Sequence, residues 1–223
     1  MVSYPNRAEA GRQLAAALKD YRGREDVIVL ALPRGGVPVA YEVAEALGAP
    51  MDLVVVRKLG TPGQEELAMG AIATGGARVM NTDVVAALRI SEEVIERVVE
   101  RERRELERRE RAYRGERPRP ELRDRYIVLI DDGLATGATM RAAVTALRQL
   151  GPARIVVAVP VAPPDTVERL RSEADEVVCL ATPQPFFGVG QWYADFTQVT
   201  DDEVRRLLDV VWQKEGAAPE ARP

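Results

Sequence analysis

Two adjacent carboxylates, Asp131 and Asp132, follow directly on a short apolar run, Tyr126 to Ile130. They precede a loop of small residues and hydroxyls: Gly133, Ala135, Thr136, Gly137, Ala138 and Thr139. Paired acids at the end of a buried strand are costly to desolvate without a positive partner. A loop of glycines and threonines that opens a helix lets backbone N–H groups and hydroxyls close around an anion. Read in order, YIVLIDDGLATGATM offers oxygens for sugar hydroxyls or a hard cation, then a cradle for a phosphate. The ligand that combines them is a ribose 5-phosphate carrying further phosphate. A bland reading, an Asp-rich turn with Thr139 as N-cap, leaves the two acids unexplained. The stretch lacks the Gly-Lys-Ser/Thr ending of a P-loop and the G-x-G-x-x-G of a dinucleotide site.

Two further stretches carry charge at the ends of apolar runs. Val27 to Leu32 breaks at Pro33-Arg34-Gly35-Gly36-Val37-Pro38. Its glycines allow close approach of backbone to a ligand, and Arg34 supplies a fork of donors. On these residues alone a structural turn accounts for the pattern equally well. Asp52 to Val56 runs into Arg57 and Lys58, cations that serve either phosphate neutralisation or simple solvation at a strand exit. The chain has no histidine and a single cysteine, Cys179, in an apolar run. That removes Ser-His and Cys-His catalysis and His-ligated zinc, and it leaves a hard, oxygen-bound ion such as Mg²⁺ as the fitting metal.

VLIDDGLATGAT resembles the phosphoribosyl pyrophosphate (PRPP) motif of the type I phosphoribosyltransferases: a hydrophobic strand, two acids and a T-G-x-T phosphate loop. The resemblance implies a Mg²⁺-dependent transfer of ribose 5-phosphate from PRPP to a nitrogenous base, with release of pyrophosphate. It assigns Asp131 and Asp132 to the ribose hydroxyls and, directly or through those hydroxyls and water, to the metal. The 5-phosphate falls to Ala135, Thr136, Gly137, Ala138 and Thr139, and pyrophosphate to Arg34, Gly35, Gly36, Arg57 and Lys58. Asp131, Asp132, Arg34 and Lys58 are the catalytic set. Family members also carry a flexible lid, which matches the Gly-rich stretch after Lys58, and Glu65 or Glu66 there could act on an incoming nucleophile. Thr182 to Thr200 gathers aromatics and resembles the hood over the base, with Phe187, Val189, Trp192 and Tyr193 as its contacts. Ala135 stands where the 6-oxopurine enzymes have an acid, so the acceptor stays open. A PRPP- or nucleotide-binding regulator on the same fold is the alternative.

The elements that position these residues follow from periodicity. Apolar runs without alternation predict parallel strands buried on both faces at Val27–Leu32, Asp52–Val56, Tyr126–Ile130, Arg154–Val161 and Glu176–Leu180. Helical spacing predicts helices from Asn6 to Asp20, from Val39 to Leu47 with Gly48 ending it, after Thr139, from Pro164 to Arg171, and from Asp201 onward. The alternation predicts an α/β fold, a doubly wound and mostly parallel sheet flanked by helices. A hairpin is expected around Gly75-Gly76, between Met69–Thr74 and Ala77–Asn81.

Ser91 to Arg114 is a long charged helix whose apolar positions thin out after Val99. It reads as a solvent-exposed insertion or as an arm toward another copy, and so suggests a homo-oligomer. Residues 1–215 are expected to form one domain, with 182–200 as the hood and 216–223 as a flexible tail. At 223 residues, 46% apolar and 30% charged, the chain can bury a sizeable core. No signal-peptide pattern opens it and no run is long enough to span a membrane, so a cytoplasmic protein is expected. A net charge of −4 argues against general affinity for nucleic acid. PRPP and a small base or nucleotide are the expected partners.

Overall fold

The computed structural model describes residues 3–217. Its elements are α1 (Arg7–Ala17), β1 (Val27–Ala31), α2 (Gly36–Leu47), β2 (Met51–Leu53), β3 (Val56–Thr61), β4 (Gln64–Ala73) and β5 (Arg78–Met80). These are followed by α3 (Thr82–Ala87), α4 (Glu92–Arg114), β6 (Tyr126–Ile130), α5 (Ala138–Arg148), β7 (Arg154–Val161), α6 (Pro164–Arg171), β8 (Glu176–Ala181) and α7 (Asp201–Ala217). Five strands form a parallel sheet in the order β2-β1-β6-β7-β8. This is the expected doubly wound sheet.

Strand β1 shows why an unbroken apolar run makes a central strand. Val27, Val29 and Ala31 pack into the core on one face with α2 and α7, whereas Ile28 and Leu30 pack into the core on the other face with α5 and α6. Both faces are covered, so both alternate sets must be apolar. The helix boundaries follow their caps. Asn6 accepts from the Glu9 N–H at 2.9 Å and starts α1. Gly48, at φ 66°, takes the left-handed turn that ends α2.

Two segments depart from the sequence reading. The Gly-rich stretch after Lys58 is not a loop but an antiparallel hairpin, β3 with β4, closed by Pro62-Gly63 and extended by β5. Pro62 presets its own φ and Gly63 takes φ 79°, a pairing that makes a tight turn. Arg57 and Lys58 therefore sit inside β3 rather than at the exit of β2, which stops at Leu53.

The charged helix α4 is likewise not a free insertion. Ile95, Val98, Val99, Glu102, Leu106, Glu110 and Arg114 form a buried stripe at helical spacing along its full length. Beyond Val99 the stripe is largely charged, and ion pairs replace apolar contacts. Glu102 accepts from Arg57 Nε and Nη2 at 2.9 and 2.6 Å, Glu110 from Arg119 Nη2 at 2.5 Å, and Arg114 Nη1 donates to Asp52 Oδ2 at 2.5 Å. Helix α7 continues to Ala217, past the expected start of the tail at Gly216; residues 218–223 lie outside the described residues. No helix among the described residues is long and apolar enough to cross a membrane.

The Asp52–Arg114 pair, with both side chains 5% exposed, fixes the end of α4 to β2. Burial pushes the Asp52 carboxyl up from its ordinary range, against the pull of Arg114. Arg114→Met leaves that buried carboxylate without the guanidinium that pairs with it and is expected to cost ~3–5 kcal/mol in chemical denaturation. Asp52→Leu combined with Arg114→Met is expected to recover most of the loss. A loss below about 1 kcal/mol in the single variant would show that the pair does not dock the helix.

Candidate functional site

The parallel sheet brings the anion-friendly loops together, because β1, β2 and β6 are neighbours that end at the same edge. Open α/β sheets bind ligands at that edge. Leu32 N–H donates to Ile130 O at 2.9 Å, so the loop after β1 begins beside the acids that follow β6. The peptide bond between Pro33 and Arg34 is cis.

Gly35 and Gly36 are needed for this approach. A Cβ on Gly35 would lie 2.1 Å from Asp132 Oδ2, and one on Gly36 would lie 2.7 Å from Ile130 O. Gly133, at φ 154°, would carry a Cβ 2.6 Å from Val189 Cγ1, so the hood presses on the acid loop where the side chain is missing. Gly137, at φ 70°, caps α5, and Thr139 falls in the first turn of that helix rather than at its cap. Ala135, Thr136 and Thr139 are exposed around this helix start, whose first N–H groups have no partner within the helix. Thr166 holds the loop from below, donating to Ala135 O at 2.7 Å.

The acid pair has a cation that the sequence reading did not find. Arg7, at the start of α1, donates from Nε to Asp132 Oδ2 and from Nη1 to Thr197 O, both at 2.8 Å. The two side chains are only 11% and 12% exposed. Its guanidinium lies 4.0 Å from the Phe196 ring centroid. Arg7 and Asp132 are 125 residues apart, and nothing local marks the arginine; only the cost of unpaired acids pointed to a cation. Asp131 Oδ1 accepts from the Asp132 N–H at 2.8 Å. Burial, reinforced by the charge of Asp132, pushes the Asp131 carboxyl well above its ordinary range. Burial also raises Asp132, and Arg7 opposes the shift.

The hood closes over this edge, and its aromatics divide in two. Trp192 and Tyr193 are 9% and 6% exposed and form a small core with Tyr4 and Val161. Tyr193 donates its hydroxyl to Asp132 O at 2.5 Å, which ties the hood to the acid loop. These two rings belong to that core, whereas Phe187 is 85% exposed. Val189 is half-buried and packs over Gly133. On β3, Arg57 is engaged by Glu102, and the neighbouring Lys58 is exposed. Arg34 instead borders a cleft of about 290 Å³ together with Val54, Tyr113, Thr139 and Asp201.

A doubly wound sheet with a hood over its carboxyl edge, acids at the end of a central strand and a helix start beside them defines the class. Residues 2–194 match the family model of the phosphoribosyl transferase domain, and the chain belongs to that family. The crystal structure of TT1426 from Thermus thermophilus is similar at 47% identity and a TM-score of 0.83, covering 92% of this chain and 97% of that one. Two Mycobacterium tuberculosis proteins, named "Putative phosphoribosyl transferase" MT0597 and Rv0571c, are each 51% identical over 209 residues. Those matches take in 94% of this chain and 47% of theirs, so the chain spans about half the length of the curated relatives.

The raised carboxyls make a stability prediction. A carboxyl whose folded pKa lies above its unfolded value favours the protonated fold. The ionised pair therefore weakens the ligand-free protein as pH rises from about 4 through the folded values. Asp131→Asn is expected to raise the thermal midpoint at pH 7.5 by ~2–4 °C, about 1 kcal/mol, with the gain vanishing below about pH 4. Scanning calorimetry across that range checks it, and an equal midpoint at every pH would contradict the account.

Proposed function

We propose that the chain transfers the ribose 5-phosphate of PRPP to a nitrogenous base and releases pyrophosphate. The observation that carries this reading is the contact of Gly35 with Asp132, which makes the loop after β1 and the acids after β6 two walls of one site. Thr136 to Thr139 and the start of α5 hold the 5-phosphate. Asp131 and Asp132 face the ribose hydroxyls, and their negative charge stabilises the positive charge that grows on the sugar as the C1–oxygen bond breaks. Arg34, Gly35 and Gly36 receive the departing pyrophosphate. The acceptor nitrogen supplies the new bond to C1, and Phe187 is the exposed ring against which a planar base can stack. Arg57 and Lys58 join only if the β3–β4 hairpin moves over the ligand.

Mg²⁺ suits the donor set. No group of three or more acidic, histidine or cysteine residues forms a cage among the described residues, and Mg²⁺ is commonly held by one or two carboxylates plus phosphate oxygens. Asp131 and Asp132 would hold it, and when bound it would offset the charge of the leaving group.

A second reading, a protein that binds PRPP or a nucleotide without turnover, would use the same loops, and Ala135 leaves the acceptor open. Pyrophosphate release from PRPP and Mg²⁺ across a panel of purine, pyrimidine and other nitrogenous acceptors separates the two. Release with at least one acceptor is expected; retained PRPP binding with no release from any acceptor would favour the regulator. Asp131→Asn with Asp132→Asn is expected to abolish PRPP binding, with circular dichroism unchanged. Wild-type affinity in that variant would refute the site.

A further inference from the structure

We propose that α4 supplies a second cationic wall for the diphosphate of the ligand, formed by Arg108 and Arg109 acting with Arg34. The proposal rests on the phosphoribosyltransferase reading and adds residues to it. The cleft of about 290 Å³ has Leu32 to Arg34 on one side and Arg108, Arg109, Ala112 and Tyr113 of α4 on the other. Positions 108, 109, 112 and 113 share one face of a helix. That face lies beside the buried stripe through Leu106, Glu110 and Arg114, so docking the stripe aims it into the cleft.

Three arginines thus line this space together with Thr139, and Asp201 is the one acid among the lining residues. The chain as a whole is net negative, so this local excess of positive charge is not a background effect. Asp201 already shows where an anion sits: its carboxylate accepts from the Tyr113 hydroxyl at 2.7 Å and lies 3.7 Å from Arg34 Nη1. Arg108 and Arg109 are held by Glu105, at 2.8 and 3.0 Å for Arg108 and 2.8 Å for Arg109. These are exposed pairs three and four residues apart, which contribute little to folding. A diphosphate offers guanidinium forks more charge and paired acceptors, so exchange of Glu105 for the ligand is favourable. Arg104, paired in the same way with Glu100, does not border the cleft. Neither do Arg57 and Lys58, so the added cations at this edge come from α4 rather than from β3.

Titration calorimetry with PRPP, and with inorganic pyrophosphate in the presence of Mg²⁺, tests the assignment. It compares the wild type, Arg108→Gln with Arg109→Gln, and a charge-matched control on the same helix, Arg97→Gln with Arg104→Gln. The first variant is expected to bind pyrophosphate at least tenfold more weakly, and the control to stay within twofold of wild type. If the wild type binds PRPP while the first variant binds pyrophosphate within twofold of it, the α4 wall is overturned and the transferase reading stands. An equal loss in the control would make the effect one of overall charge and would also overturn the wall. If the wild type binds neither ligand, the transferase reading falls and the wall with it.

Discussion

The structure is arranged around two adjacent carboxylates at the end of β6, Asp132 buried and Asp131 half-buried. Strand β6 is covered on both faces, and Asp131 and Asp132 follow at once at its carboxyl end, where charge is costly. Two compensations follow: Arg7 crosses from the first helix to pair with Asp132, and Asp131 accepts the Asp132 N–H; Tyr193 separately anchors the backbone of the loop through Asp132 O. The glycines then become requirements of packing, since side chains at Gly35, Gly36 or Gly133 would collide with the acids, with the Ile130 carbonyl or with Val189. What remains uncompensated shows in the raised carboxyl pKa values, a cost in stability of the kind that binding sites retain.

Helix α4 extends the same electrostatic logic to architecture. Its first half docks by Ile95, Val98 and Val99, as any amphipathic helix does. Its second half docks mostly by charge: Glu102 meets Arg57, Glu110 meets Arg119, and Arg114 meets Asp52. Such pairs are directional where apolar contacts are not, so they fix the rotation of the helix about its axis. That rotation decides which of the many arginines face solvent and which face the cleft. The residue that anchors the hairpin, Arg57, is thereby committed to the scaffold.

The hood shows a division of labour within one short segment. Trp192 and Tyr193 pack with Tyr4, which binds the hood to the chain start and, through the Tyr4 hydroxyl, to Pro160 O at 2.9 Å. Phe187 stands outside that core. A run of aromatics therefore combines closure of the domain with an exposed ring, and composition cannot tell which ring does which.

The sequence by itself determined the parallel strands, the caps at Asn6 and Gly48, the β4–β5 hairpin and the family, because each is written in local periodicity, turn chemistry or a contiguous motif. It also located the acid pair and the two loops that flank it, since strand order alone brings β1 and β6 together once both are central. What it left open depends on contacts between distant residues. Arg7 could not be matched to Asp132 across 125 positions, and α4 looked free because a buried face made of Glu and Arg has the composition of a solvated one. The hairpin after Lys58 was hidden by its glycines, which read as a mobile loop and instead allow a bulged, tightly turned pair of strands. Local chemistry fixes where charge and backbone freedom are placed; only the tertiary structure decides which opposite charge meets them, because burial is a property of the whole fold.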